Sequence, residues 1–195
     1  MSRPHLSGPT LETERLLLRP PAAEDFEAWA AFAADERVAR NIGGVQSRPM
    51  AWRNMCTMIG AWAVNGFSMF SLIEKGTGRW LGRLGPWRPE GWPCAEFAIS
   101  LVADTWGTGY ASEASNVVID WMFETLDWPE VLHCIEHENF RAQSLARRLG
   151  ARPLQRQGVL PEPFGTPVDI WGQTREEWRA RRLSSCDTRA PTQEV

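Results

Sequence analysis

The amino-acid sequence predicts an α+β fold of about seven strands and about four helices in one domain, and two observations lead to it. In the first half of the chain, short apolar segments are separated by turns rich in Gly and Pro, a pattern typical of an antiparallel meander. In the second half, strand-like and helix-like segments alternate, which predicts local parallel pairing of strands. The 195 residues suffice for one core without help from disulfides or metals.

The predicted elements begin with one strand and two helices. Residues 11–20 hold a short apolar run ended by prolines, which favours a strand. Residues 22–38 place apolar side chains at helical spacing, with acidic residues in the first turn. A second helix is predicted over residues 49–65, with Ser47 as a candidate N-cap and Gly66 as the stop signal.

The remaining predicted elements are a meander followed by alternating helices and strands. The meander strands cover residues 67–74, 79–85 and 95–102, and the turn Gly76-Thr77-Gly78 joins the first two. The later helices cover residues 111–126 and 139–149, and the later strands cover residues 131–136, 152–157 and 168–173. Residues 174–182 are predicted to form a charged helical turn.

Composition and charge argue against several classes of protein. Hydrophobic residues make up 43% of the chain and charged residues 23%, and no apolar run approaches the roughly 18 residues of a membrane span. A net charge of −3 argues against a nucleic-acid partner, because such proteins usually carry a basic face. The first ten residues lack the apolar segment of a secretory signal, which predicts a cytoplasmic protein without a membrane partner.

The cysteines and histidines predict no metal site. The four cysteines, Cys56, Cys94, Cys134 and Cys186, are scattered without CxxC spacing, and the chain has only three histidines. A structural zinc site needs four closely spaced ligands, which this set does not supply. We therefore expect free thiols, located mostly in the core.

The turn Trp106–Ala111, between a predicted strand and a predicted helix, is the segment most informative about function. Its glycines, Gly107 and Gly109, allow backbone N–H groups to point at one anion, and the helix N-terminus adds its dipole. This predicts a phosphate-bearing ligand, although the same spacing equally suits a tight helix entry that serves packing alone. The only lysine of the chain is Lys75, so the turn is not a Walker A loop, and Ser112 stands where a dinucleotide fingerprint needs Gly or Ala.

Four stretches of the chain resemble the GNAT superfamily of N-acetyltransferases, in the branch of the ribosomal-protein N-terminal acetyltransferases. They are, in the family's order, residues 11–20, 96–114, 131–150 and 174–178. The resemblance implies an α/β/α layered fold with a mixed, mostly antiparallel central sheet, in which the fourth and fifth strands (residues 95–102 and 131–136) splay apart. The N-acetyltransferase domain would cover residues 11–182, after a flexible N-terminus over residues 1–10. Residues 183–195 are predicted to be a disordered tail because they are polar and contain Pro191.

The resemblance implies acetyl-CoA as cosubstrate, wedged between the splayed strands. Its pantetheine arm would pair with backbone groups of the fourth strand, its pyrophosphate would lie on the glycine turn, and Asn139 would contact the arm near the sulfur. The implied cofactor-binding residues are Leu101, Val102, Ala103, Trp106, Gly107, Thr108, Gly109, Tyr110, Ala111, Ser112, Asn139 and Ala142. From the residues alone, Asn139 is equally well explained as the N-cap of its helix.

Acetyl transfer to an amine needs a neutral amine, a polarised thioester carbonyl and a proton for the departing thiolate. Two carboxylates are candidate general bases: Glu96, at the start of the fourth strand, and Glu162, in the loop before the last strand. For Glu96 the alternative is a solvated acid at a strand end. His133 and His137 are interpreted as structural histidines.

Two departures from the family pattern concern the proton for the thiolate. Many members of the family have a tyrosine seven residues after the asparagine, which is Ala146 here, and the ribosomal-protein branch often has a serine three residues after it, which is Ala142 here. The predicted function is transfer of an acetyl group from acetyl-CoA to a primary amine of a small molecule or a protein N-terminus, by direct attack in a ternary complex. The alternative is a catalytically weak acyl-CoA-binding module. The architecture permits a homodimer without requiring one.

Overall fold

The structure is a computed structural model that describes residues 8–162 and 164–187. The described strands are β1 (Leu11–Glu12), β2 (Leu16–Arg19), β3 (Phe70–Glu74), β4 (Trp80–Trp87), β5 (Glu96–Leu101), β6 (Glu130–Glu136), β7 (Arg152–Val159) and β8 (Pro167–Thr174). The described helices are α1 (Phe26–Ala34), α2 (Glu36–Ala39), α3 (Arg48–Asn65), α4 (Tyr110–Glu124), α5 (Phe140–Leu149) and α6 (Arg175–Asp187), with 3-10 turns at residues 23–25 and 103–105. The predicted α+β class is confirmed, with one strand and two helices more than expected.

The strands form two sheets that part between β5 and β6. One sheet has the order β1-β2-β3-β4-β5 and the other β6-β8-β7, and every hydrogen-bonded strand pair in the described residues is antiparallel. The predicted parallel pairing is therefore wrong. Between β5 and β6, side-chain hydrogen bonds replace the backbone hydrogen bonds of a paired sheet. The Glu96 carboxylate accepts from the Cys134 N–H, and the His133 ring is hydrogen-bonded to the Phe97 carbonyl. The predicted splay of the strands over residues 95–102 and 131–136 is present, between β5 and β6.

Two predicted elements are each divided in the structure. The first strand becomes the hairpin β1–β2, closed by hydrogen bonds from the Thr13 N–H to the Leu16 carbonyl at 2.9 Å and from the Leu16 N–H to the Thr13 hydroxyl at 3.0 Å. The first helix breaks at Asp35, whose extended ψ of 112° lets its side chain cap α2 through the Arg37 N–H. Both breaks come from a short polar side chain that bonds nearby backbone.

The ends of the other helices follow the predicted signals with two differences. Gly66, with φ of 75°, ends α3 in the left-handed conformation as predicted, whereas Ser47 lies at the N-cap without a side-chain bond. Helix α6 continues to Asp187, so residues 183–187 of the predicted disordered tail are helical, and residues 188–195 lie outside the described part. Residues 1–7 of the predicted flexible N-terminus also lie outside it. None of the described helices is long and apolar enough to cross a membrane.

The five-stranded sheet separates two apolar clusters. One face packs on α4 through Leu84, Phe97 and Ile119. The other face packs on α1 and α3, where Trp29 and Met58 are buried. The two clusters determine which side chains of β5 lie on each face of the sheet. The side chains available to the site depend on this alternation.

A β-bulge in β4 brings Trp80 and Arg83 to one face of the sheet. The register between β3 and β4 shifts after Leu72, so β4 carries one extra residue. Trp80 and Arg83 consequently point toward α1, although they are three residues apart. On that face the Trp80 Nε1 donates to the Ser71 Oγ at 3.0 Å, and the Arg83 guanidinium lies 5.2 Å from the Trp29 ring.

Candidate functional site

A cavity of about 980 Å³ lies where β5 and β6 part. Both candidate bases, Glu96 and Glu162, line it, and so do Asn139 and Ala142 of the predicted cofactor set. Its walls come from β4, β5, β6, α3, α5 and the loops that precede β5 and β8. The two candidate bases, which are 66 residues apart in the sequence, therefore line the same cavity.

The free edge of β5 presents backbone groups to this gap. The Val102 N–H donates to the Leu81 carbonyl at 2.9 Å on the β4 side, whereas the Phe97 carbonyl accepts from the His133 Nδ1 at 3.1 Å on the β6 side. Backbone groups alternate between the two edges of a strand. The N–H and C=O of Ile99 therefore face the gap, and no strand of the described residues pairs with them.

The predicted backbone partners of pantetheine are already partly engaged within the protein. The Leu101 carbonyl accepts from the Trp106 Nε1 at 3.1 Å, and the Ala103 carbonyl accepts from the Trp106 N–H at 3.3 Å. Together with the Val102 N–H, these groups have protein partners before any ligand binds. The sequence does not single out Ile99, although strand alternation counted from Leu101 points to it.

The glycine turn has the conformation that an anion site needs. Gly107 and Gly109 adopt left-handed φ values of 82° and 90°, and α4 begins at the next residue without a side-chain cap. The first N–H groups of a helix have no intrahelical acceptor. The N–H groups of Tyr110, Ala111 and Ser112 are therefore available, while Thr108 braces the turn through its hydroxyl, 2.7 Å from the Thr105 carbonyl.

Charged side chains surround the glycine turn. The Arg15 Nη1 donates to the Thr108 carbonyl at 3.3 Å, and the Arg141 guanidinium lies 3.9 Å from the Trp106 ring. The acid of the first helical turn, Glu113, is held by Arg15 at 2.6 Å, which reduces its repulsion of an anion. The Tyr110 hydroxyl donates to the Glu74 carboxylate, so the only tyrosine is directed toward β3.

Asn139 heads α5 as an N-cap. Its Oδ1 accepts from the Ala142 N–H at 3.1 Å, which confirms the N-cap interpretation. Asn139, Ala142 and Ala146 all line the cavity. A contact between Asn139 and the arm of the cofactor remains a prediction.

Glu96 is a buried and fixed carboxylate. Its side chain is 5% exposed, one oxygen accepts from the Trp92 Nε1 at 2.8 Å, and the other accepts from the Cys134 N–H at 2.9 Å. Burial raises the pKa of Glu96 above its ordinary value, and the two hydrogen bonds only partly oppose that rise. The interpretation of Glu96 as a solvated acid at a strand end is wrong.

Comparison with known proteins assigns the fold and the chemistry of its class. Residues 15–152 match the model of the acetyltransferase (GNAT) domain, which is more than half of the chain. The chain belongs to the GNAT acetyltransferase family. The uncharacterised N-acetyltransferase p20 of Bacillus licheniformis is 32% identical over 169 residues, which cover 83% of this chain and 93% of p20. The protein is accordingly an N-acetyltransferase of the GNAT family.

Solved structures agree with this assignment. An acetyltransferase from Agrobacterium tumefaciens str. C58 superposes with a TM-score of 0.76 at 28% identity, over 90% of this chain and 99% of that one. The ribosomal-protein-S5-alanine acetyltransferase of Vibrio fischeri superposes with a TM-score of 0.66 at 16% identity, over 88% of this chain and 99% of that one. The second similarity concerns the fold alone.

In this GNAT site Glu162 and the histidines differ from Glu96. Glu162 lines the cavity but its side chain is exposed. His133 is 6% exposed, and burial lowers its pKa to about 4, so the ring is neutral at pH 7. Because a carbonyl can only accept, the His133 Nδ1 carries the proton, and its buried Nε2 has no partner in the described residues. His137 is exposed, and its Nδ1 lies 3.4 Å from the Asp169 carboxylate. His133 therefore differs from His137 in having a buried ring nitrogen without a hydrogen-bond partner in the described residues.

The thiols near the GNAT site are reduced and only partly buried. The Sγ atoms of Cys94 and Cys134 lie 3.5 Å apart, and Cys56 is exposed. The prediction of free thiols is confirmed for these three, but their location in the core is wrong. The Cys186 side chain lies outside the described residues. Within the described part, no group of three or more His, Cys, Asp or Glu is placed to hold a metal ion.

Arg83 lines the same cavity and has no counter-charge. Its side chain is 8% exposed, burial lowers its pKa to about 10, and no described carboxylate pairs with it. Its Nη1 donates to the Met58 Sδ at 2.9 Å, and its buried Nε has no partner. The sequence analysis above does not single it out, although an arginine within the apolar strand residues 80–85 is a visible signal.

Proposed function

We propose that this GNAT protein transfers the acetyl group of acetyl-CoA to a primary amine, by direct attack in a ternary complex. The observation that carries the proposal is the buried carboxylate of Glu96, which lines the cavity beside the unpaired edge of β5. An amine acceptor needs a base, and a thioester with an amide-rich arm needs a free strand edge. The gap between β5 and β6 offers both.

The residues present fit acetyl-CoA. The peptide groups of Ile99 would pair with the amides of the pantetheine arm, and the N–H groups of Tyr110 to Ser112 would hold the pyrophosphate at the start of α4. Arg15 and Arg141 flank that turn and add positive charge. When bound, acetyl-CoA supplies the thioester carbonyl that the amine attacks.

Glu96 takes a proton from the amine, directly or through a water molecule. A carboxylate with a raised pKa is a better match for a proton shared with an amine than an ordinary glutamate is. The Trp92 and Cys134 donors fix its orientation, so it needs no reorganisation during the reaction. The neutral ring of His133 also lines this cavity, and its buried Nε2 is an acceptor without a partner in the described residues.

The proton for the departing thiolate comes from water in this proposal. Ala142 and Ala146 line the cavity where many relatives carry a hydroxyl. The same two alanines favour the second candidate, a binding module for acyl-CoA with weak catalysis. The two functions differ in turnover, since both require acetyl-CoA to bind.

Isothermal titration with acetyl-CoA tests the cofactor site. We expect saturable binding by the wild type and at least about 100-fold weaker binding by Gly109→Trp, because a side chain at this N-cap lies over the helix N-terminus that holds the pyrophosphate. A Cβ at Gly109 lies 3.4 Å from the Arg15 Nη2, so the variant also disturbs that arginine.

Gly78→Trp is the matched control for Gly109→Trp. Gly78 also has a left-handed φ, of 71°, and open space around its Cβ, but it lies in the β3–β4 turn. Both variants carry the strain of a side chain at positive φ, so only the position differs. Absence of saturable binding by the wild type would contradict the proposed function, and wild-type affinity of Gly109→Trp would remove the turn from the site.

A further inference from the structure

The charges that line the cavity are distributed unevenly. Its described lining includes four glutamates and only one arginine or lysine, Arg83. Arg83 lies opposite Ser100 in the β4–β5 register, and Glu96 comes four residues earlier on the same face of β5. Four strand residues span about 13 Å. The face therefore carries a carboxylate at one end and a guanidinium at the other.

The guanidinium of Arg83 is a buried charge without its usual compensation. With a pKa of about 10 it stays protonated at neutral pH. Buried charges in proteins are normally paired, because desolvation of a lone ion is costly. Here Arg83 contacts the Met58 sulfur and the Trp29 ring, and both are weak partners for a cation. No described carboxylate supplies the missing counter-charge, and the side chain borders the cavity.

We propose that the acceptor amine also carries an anionic group, a carboxylate or a phosphate, and that Arg83 binds this group. The inference rests on the proposed function, because it concerns the amine that the enzyme acetylates. In this arrangement the amine end of the acceptor lies toward Glu96, and the anionic end lies toward Arg83 and Ser100. Arginine suits the task because its planar fork binds carboxylate and phosphate with two parallel hydrogen bonds.

The proposed site of the acetyl-CoA pyrophosphate lies apart from Arg83. The residues of the glycine turn, 106–112, do not line this cavity, so the proposed pyrophosphate site and Arg83 belong to different parts of the surface.

The two amides of Gln46 and Asn54, 2.7 Å apart, line the cavity and add neutral hydrogen-bonding groups on the α3 side. This side of the cavity is therefore polar without being negatively charged.

Steady-state kinetics on pairs of acceptors tests the inference. Each pair joins an ω-amino acid to the alkylamine of equal chain length, such as 4-aminobutanoate with butylamine and 6-aminohexanoate with hexylamine, and O-phosphoethanolamine with ethylamine tests a phosphate. We expect the wild type to prefer the anionic member by about 10- to 100-fold in kcat/KM, as for a hydrogen-bonded ion pair that is lost. The preferred chain length reports the spacing between the two ends.

Arg83→Met is expected to abolish this preference, to within about threefold, through a higher KM for the anionic acceptors. Arg83→Lys keeps the positive charge and should retain part of the preference for the anionic acceptor. For carboxylates this preference should be smaller than that of the wild type, because lysine lacks the planar fork of arginine. Arg152→Met, which removes an exposed arginine paired with Glu177, is the matched control and should keep the wild-type preference. Calorimetry should give the same Kd for acetyl-CoA in all of these proteins.

Three results would overturn the inference. The first is a wild type that binds acetyl-CoA but acetylates no anionic amine better than its neutral partner. The second is an equal loss for both members of each pair in Arg83→Met, which indicates a structural role. The third is a weaker Kd for acetyl-CoA in that variant, which assigns Arg83 to the cofactor. Failure of the wild type to bind acetyl-CoA is a separate result and concerns the proposed function itself.

Discussion

Replacement of Glu96 by glutamine should lower kcat for amine acetylation by about 10²- to 10⁴-fold, the usual contribution of a general base. The amide keeps the size of the side chain but cannot take a proton from the amine. Because Glu96 lines the cavity and the residues of the glycine turn do not, the Kd for acetyl-CoA should change by less than about twofold. Stopped assays of free thiol release and calorimetry measure the two quantities.

The pH profile separates a base from a merely structural carboxylate. Burial raises the pKa of Glu96, and a general base works only when it is ionised. Wild-type kcat/KM should therefore rise with pH through this raised pKa, and the Glu96→Gln variant should lack that limb. Since the acceptor amine ionises equally in both proteins, only the difference between the two profiles is assigned to Glu96.

Glu162→Gln is the matched control for Glu96→Gln. Glu162 lines the same cavity but is exposed, so its replacement should lower kcat by less than about tenfold and keep the limb of the pH profile. The opposite pattern, in which Glu162→Gln loses the limb and Glu96→Gln keeps it, would transfer the role of base to Glu162. A limb that survives both changes would point to the neutral ring of His133, which also lines the cavity.

Local signals explain why much of the fold could be predicted from the sequence. The glycine turn required left-handed backbone at Gly107 and Gly109 and a helix directly after it, and both are present. Gly66 ended α3 for the same reason. The N-cap role of Asn139 likewise depends only on the next three residues. Each of these features is decided within a few positions of the chain.

Features that depend on register could not be predicted in the same way. The separation of β5 from β6 was implied by the family resemblance and not by a local signal, since the contacts of Glu96 and His133 in the gap join residues 36 to 38 positions apart. The place of Arg83 on the cavity face depends on a bulge in β4, because a one-residue shift moves a side chain to the other face. The Val102 N–H is unavailable to a ligand because it donates to the Leu81 carbonyl, which is 21 positions earlier in the chain. These residues show why site geometry needed the tertiary structure.

The largest loss of stability should come from Asp25→Ala. Asp25 is 3% exposed and accepts four hydrogen bonds, from the Arg19 Nη1 and Nη2 at 2.9 and 2.8 Å, the Ser71 Oγ at 2.7 Å and the Ala22 N–H at 2.9 Å. In Asp25→Ala the Arg19 guanidinium would keep only the exposed Glu24 as a charged partner, at 3.2 Å, and the Ser71 hydroxyl would lose its acceptor. Breaking a buried ion pair from one side costs about 3–5 kcal/mol. The free energy of unfolding from urea titration should fall by this amount, and Tm by about 6–20 °C.

Glu27→Ala controls for the loss of any carboxylate near α1. Glu27 pairs with Arg48 through side chains that are 78% and 56% exposed, so its removal should change the free energy of unfolding far less than the removal of Asp25 does. Equal losses in the two variants would contradict the assignment of the stability to burial. Asp25→Asn, which keeps the shape but removes the charge, should lie between them.

Asp25→Ala should also affect the part of the cavity where the acceptor is proposed to bind. The Ser71 hydroxyl that donates to Asp25 also accepts from Trp80, the Trp80 ring lies 5.5 Å from Trp29, and Trp29 lies under Arg83. At a temperature where Asp25→Ala remains folded, its KM for the acceptor should rise while its Kd for acetyl-CoA stays unchanged, since the chain of contacts ends at the cavity and not at the glycine turn. A change in the Kd alone would show that this network supports the other half of the protein.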